Sequence, residues 1–188
     1  MVALGASAGG LNALTRVLSG LPADFPAALV VVQHLDRRHR SLMVEILAKR
    51  TPLEVRQAAE GDELRAGCVV IAPPNHHLLV NAGGRLSLAQ TELVHFVRPS
   101  ADLLFESTAA AYRERAIAVI LSGSGQDGAM GVRAIKKMGG TVIVQDTKNA
   151  EFPGMPEAAL ATGAADFVLA VDEIAPALQR LLASPGTE

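Results

Sequence analysis

Short, unbroken apolar runs alternate along this chain with longer stretches in which apolar side chains recur every three or four positions. The runs Val2–Leu4, Leu29–Gln33, Cys68–Ala72, Ile117–Ser122, Thr141–Gln145 and Phe167–Leu169 predict strands buried on both faces. The periodic stretches predict helices at roughly 9–19, 40–50, 101–114, 128–138, 156–162 and 172–183. Strands and helices in alternation are the pattern of an α/β chain, specifically a three-layer α/β/α sandwich around a mainly parallel sheet. The middle third departs from this rhythm. Leu78–Asn81, the turn Ala82-Gly83-Gly84 and Arg85–Leu88 predict an antiparallel hairpin insertion, with a further strand expected at Glu92–Val97. Gly139-Gly140 closes one predicted helix and Pro156 belongs in the first turn of another.

Composition narrows the function classes. The 188 residues suit one domain, expected over 1–184 with a frayed tail at 185–188, and the 49% hydrophobic content supplies a sizeable core. Lys plus Arg total 17 against 19 for Asp plus Glu, so the chain lacks the basic excess that neutralises nucleic-acid phosphates or binds anionic lipid. Aromatics at 3% are too few for base stacking. Neither a secretory leader nor a membrane-spanning run is visible, which reads as a cytoplasmic protein without membrane insertion. The single Cys68 sits in an apolar run and reads as a buried small side chain.

Ligands of open parallel sheets bind beyond the carboxyl ends of the strands, so polar residues directly after strands are the candidates for chemistry. Ser7 follows the first predicted strand, His34 the second, Ser122–Asp127 the run ending at Leu121, and Asp146 the next. A hydroxyl, an imidazole and a carboxylate on one rim are the parts of a nucleophilic relay, in which the carboxylate orients the imidazole and the imidazole takes the proton of the hydroxyl. Gly5-Ala6-Ser7-Ala8-Gly9 has the G-x-S-x-G form of a nucleophile elbow. Each part also has a plainer reading. The glycine-rich turn serves equally for phosphate binding or close packing, His34 for closing a buried strand, and Asp127 for capping the helix that begins at Gly128. The order Ser, His, Asp differs from that of α/β-hydrolases. His76-His77 would point to opposite faces of a strand, and His34 and His39 have no cysteine beside them, so no metal is expected. Arg37-Arg38-His39-Arg40 reads as a solvated loop or as a patch that attracts an acidic partner. Met130, Met138 and Met155 read as core or rim packing.

Six segments taken together resemble the catalytic domain of CheB, the chemotaxis-receptor methylesterase, over nearly the whole chain. They are Gly5–Gly10, Gln33-His34, Ile71–His77, Arg98–Asp102, Ser122–Gly128 and Phe152–Pro156. The resemblance implies hydrolysis of glutamyl methyl esters on chemoreceptors, often with deamidation of receptor glutamine, on a three-layer fold without a cofactor. By that mapping Ser7 is the nucleophile, His34 the base and Asp127 the acid, and Ala8, Ser124, Gly125 and Arg98 fall at oxyanion or substrate-binding positions. Ala8 replaces the hydroxyl residue usual after the nucleophile, and Ser124 replaces the usual Met or Thr. The receiver domain that usually precedes this one is not present in the sequence, so the chain reads as a stand-alone relative or an excised catalytic domain. A non-catalytic binding or signalling module that keeps the fold is the competing reading. Nucleotide binding at the glycine turn lacks both the G-x-G-x-x-G spacing and a Walker lysine.

Overall fold

The computed structural model describes residues 1–34 and 41–183. The Arg37–Arg40 cluster, His39 and the expected tail lie outside the described residues.

In chain order the strands are β1 (Val2–Ala6), β2 (Leu29–Gln33), β3 (Glu54–Gln57), β4 (Cys68–Ile71), β5 (His77–Val80), β6 (Leu86–Ala89), β7 (Ile117–Ile120), β8 (Thr141–Gln145) and β9 (Phe167–Leu169). The helices are α1 (Gly10–Ser19), α2 (Met43–Ala48), α3 (Ala101–Tyr112), α4 (Ala129–Lys137), α5 (Gly154–Ala161) and α6 (Val171–Ala183). Seven strands form one sheet in the order β3-β4-β2-β1-β7-β8-β9, every pair parallel. β5 and β6 pair antiparallel as the expected hairpin insertion.

Period-two alternation divides the core between the two faces of this sheet. Val2, Leu4, Leu29, Val31, Val119 and Ile143 pack with α1, α2 and α6. Ala3, Val30, Val32, Ala118, Ile120, Val142 and Val144 point the other way, onto α3, α4, α5 and the hairpin. The strands are covered on both sides, which is why they read as continuous apolar runs.

Two local expectations are corrected. β3 was not anticipated, because its Glu-Val-Arg-Gln pattern is that of an edge strand with exposed ends and carries no apolar run. Glu92–Val97 is not a strand. Its only ladder contact is a bridge between Val94 and Val97, and His95 and Phe96 between them have φ of 48° and 65°, so the chain reverses there.

Strand order reverses at β1, which has β2 on one side and β7 on the other, so the topological switch point of the sheet lies at its carboxyl end. One residue sets how closely α3 approaches that point. A Cβ on Gly5, in β1, would lie 2.9 Å from Ala101 Cβ and 3.2 Å from the Phe105 ring. The bare backbone of β1 is therefore what lets the first turn of α3 lie against it. We expect Gly5→Ala to cost about 1–3 kcal/mol in denaturant unfolding, as overpacking does in a filled core. An unchanged midpoint would show that the contact is slack.

Candidate active site

Ser7 begins directly where β1 ends, and His34 where β2 ends. Ala6 pairs with Gln33, and the His34 N–H donates to Ala6 O at 3.1 Å, so Ser7 and His34 are cross-strand neighbours. The Ser7 backbone is held from three sides. Its N–H donates to Ser122 O beyond β7 at 3.0 Å, and its carbonyl accepts the Gly10 N–H at 2.8 Å and the Gln33 side-chain amide at 2.7 Å. Ser122 Oγ donates to Ala8 O at 2.8 Å and accepts the Phe152 N–H at 2.9 Å, which ties the elbow to the segment entering α5. Gly123 lies against the elbow itself, since a Cβ there would meet Ser7 Cβ at 2.9 Å and Met155 Sδ at 2.3 Å. Met155 is buried, Met130 is exposed at the start of α4, and Met138 packs partly buried against the core, in line with packing roles.

His34 Nε2 lies 2.7 Å from Asp127 Oδ2, a pair linking residues 93 positions apart. Asp127 is only 3% exposed, and its carboxylate is otherwise seated on the first turn of α3. Ala101 N–H donates to Oδ2 at 2.6 Å, while Ser100 Oγ at 2.8 Å and Asp102 N–H at 3.1 Å donate to Oδ1. The capping reading of Asp127 is thereby corrected. Gly128, not Asp127, stands at the N-cap of α4, without a side-chain cap, and the Asp127 carboxylate satisfies the orphan N–H groups of α3 instead.

Burial by itself would raise the Asp127 carboxyl. The hydrogen bond from His34, the Ala101 and Asp102 N–H groups and the charge on His34 outweigh it and hold the group below its ordinary value. Asp102 is shifted the other way. Burial raises it, and the neighbouring Asp127 charge adds to that against the opposing Gly131 N–H and His95. Of the two carboxyls, Asp127 is thus the one held on the acidic side of its ordinary value and Asp102 the one raised. Being an acceptor, Asp127 requires His34 to carry a proton on Nε2, and in the neutral ring the lone pair then lies on Nδ1.

Residues beyond the expected set complete the support. His77 is fully buried, accepts the Ser100 N–H on Nδ1 at 3.1 Å and donates from Nε2 to Glu92 O at 2.9 Å. Burial, above all, lowers its pKa, in keeping with a neutral ring whose two nitrogens have opposite hydrogen-bonding roles. His76 faces elsewhere, bonded to Pro74 O. Of the expected oxyanion and substrate positions, Ala8 follows Ser7 in the elbow, and Ser124 and Gly125 form the exposed tip of the loop between β7 and α4. Among the described residues, their N–H groups have no backbone acceptor. Arg98 is half-buried, and its guanidinium donates to Asn75 Oδ1 and to the carbonyls of Gln90 and Thr91. Asp146 is occupied in a turn, accepting from Lys148 N–H. Ser100 and His77 lie within segments that carry the family resemblance, but no role was read for either. The local signal was the Ser-Ala-Asp start of a predicted helix, which marks a cap but not what it caps.

Residues 2–178 match the family described as CheB methylesterase. The chain belongs to the CheB methylesterase family. A Leptospira interrogans relative is 39% identical over 180 residues, which cover 96% of this chain and 93% of that protein. An Anaeromyxobacter dehalogenans protein named protein-glutamate methylesterase/protein-glutamine glutaminase 2 is 47% identical over 182 residues. That match covers 96% of this chain and 53% of the relative, so the chain spans about half the length of some of its family. The crystal structure of the Thermotoga maritima CheB methylesterase catalytic domain superposes with a TM-score of 0.92 at 36% identity, covering 96% of this chain and 97% of that one. The three-layer fold is thus the fold of the CheB catalytic domain.

A carboxylate whose folded pKa lies below its unfolded value contributes stability above the unfolded value and loses it as pH falls through the folded one. Asp127→Asn should therefore cost about 3 kcal/mol at neutral pH, where the buried donors from Ala101, Asp102, Ser100 and His34 lose their ionised acceptor. The deficit should shrink on the acid side of the ordinary carboxylate range, where Asp127 is itself protonated. Urea unfolding of both proteins across that range measures it, and a deficit independent of pH would contradict the assignment.

Proposed function

We propose that the chain is a serine hydrolase that removes methyl esters from glutamyl side chains of chemoreceptors, and that it also deamidates receptor glutamine. The carrying observation is the His34–Asp127 pair at one strand end, beside Ser7 in a glycine elbow at the next. Ser7 Oγ attacks the side-chain carbonyl carbon while His34 takes its proton at Nδ1, the nitrogen not turned to Asp127. The tetrahedral oxyanion is met by N–H groups at Ala8 and in the Ser124-Gly125 loop. Collapse breaks the ester bond as His34 passes the proton to the departing methoxide, giving methanol and a glutamyl–Ser7 ester. Water, deprotonated by His34, attacks that ester and regenerates Ser7 with a free glutamate. With a glutamine substrate the same steps release ammonia. Asp127 stays ionised throughout and stabilises the imidazolium. Arg98 fixes the Asn75 and Gln90–Thr91 loops at the rim, where the substrate segment enters. The names of the relatives, which pair protein-glutamate methylesterase with protein-glutamine glutaminase, support both the ester and the amide reaction.

Mass spectrometry of a methylated receptor peptide, incubated with the protein, should show one methylene mass lost per ester hydrolysed. Ser7→Ala and His34→Ala should each lower the rate by about a million-fold while the fold persists. Full rate in both variants would refute the proposal.

A further inference from the structure

Gln33 is the last residue of β2 and only 7% exposed, yet its side chain is not absorbed by the core. Its Nε2 donates one proton to Ser7 O at 2.7 Å and the other to His34 O at 3.1 Å. Two carbonyls facing one nitrogen fix the orientation of the amide, because the flipped amide would set oxygen against oxygen. Among the described residues, its Oε1 is buried without a hydrogen-bond partner. Space for it is made by Gly10, where a Cβ would lie 2.0 Å from Oε1. Gln145 at the end of β8 supplies a contrast within the same fold. Its Oε1 accepts the Ser122 N–H at 2.8 Å and its Nε2 faces Asn149, so both ends of that amide are used. A glutamine that served only to fill or tie the sheet end could be satisfied in the same way. Gln33 is instead arranged around two backbone carbonyls, those of Ser7 and His34.

We infer that Gln33 is a positioning residue for the reaction proposed above: its amide fixes the Ser7 peptide against the His34 peptide, and so sets the angle at which the hydroxyl meets the imidazole. It touches neither reacting atom. A hydroxyl displaced by a fraction of an ångström loses rate and not affinity, since the Ser124-Gly125 and Arg98 positions proposed for the substrate lie on other loops. The inference rests on the reading of Ser7 as nucleophile.

The test is Gln33→Met, which keeps the length of the side chain and removes both donors, measured in two assays alongside the unsubstituted protein. Hydrolysis of a methylated receptor peptide should show kcat lowered roughly 10- to 100-fold with KM unchanged within about twofold. The rate of Ser7 labelling by a fluorophosphonate, which forms the Ser7–phosphorus bond and expels fluoride, should fall by a similar factor. A kcat within about twofold of the unsubstituted protein, or a loss confined to KM, overturns the inference. Should Gln33→Met not fold, Gln33→Glu fills the same volume without the two donors at neutral pH, and the same criteria apply. If neither variant folds, the amide is a structural strut and the inference fails. The underlying functional reading fails separately, if the unsubstituted protein neither hydrolyses the peptide nor is labelled at Ser7. Labelling without peptide hydrolysis would leave the nucleophile intact, redirect the search for substrate, and still report on Gln33 through the labelling rate.

Discussion

A buried carboxylate seated on the first turn of α3 organises this molecule. Asp127 takes four donors, two from peptide N–H groups, one from the Ser100 hydroxyl and one from the His34 ring. Removing such an ion from water costs several kcal/mol, and only a complete donor set of this kind offsets it. The requirement propagates outward. α3 must approach the end of β1, so β1 carries Gly5 beneath Ala101 and Phe105. Ser100 must be held in place, so His77 is buried behind its N–H. The loop after β7 must return to the sheet end, and Asp127 in turn anchors it there.

The same seat divides labour between neighbouring acids. Burial and the Asp127 charge raise the Asp102 carboxyl, whereas His34 and the first N–H groups of α3 hold Asp127 below its ordinary value. Asp127 becomes a fixed acceptor. Asp102, bonded to the Gly131 N–H and to His95, joins α3 to α4 and to the turn carrying the exposed Phe96. The result is an imidazole whose Nε2 faces a carboxylate that is itself held by the N–H groups of a helix.

Much of this was legible in the chain. Strands covered on both faces leave apolar runs too plain to miss, and the polar residue after each run marks the rim of the sheet. The rim positions of Ser7, His34 and Asp127 were read in that way, and the family resemblance implied roles for them. The edge strand β3 was missed because half of it faces water and carries charge. The Glu92–Val97 turn looked extended because left-handed backbone at His95 and Phe96 is imposed by tertiary ties, including the bond from His95 to Asp102, and not by local propensity. Asp127 looked like a cap for the helix next to it, and it caps one that begins 26 residues earlier in the sequence. Gln33, His77 and Ser100 work through partners more than twenty residues away, at the range where neighbouring residues say nothing about geometry.

The central claim is that the Asp127 carboxylate fixes the proton of His34 on Nε2. Nitrogen-15 NMR of the His34 ring at neutral pH reads this directly. The account predicts a protonated, hydrogen-bonded Nε2 and a bare Nδ1 in the resting protein. A proton on Nδ1, or a ring exchanging freely between tautomers, would contradict it.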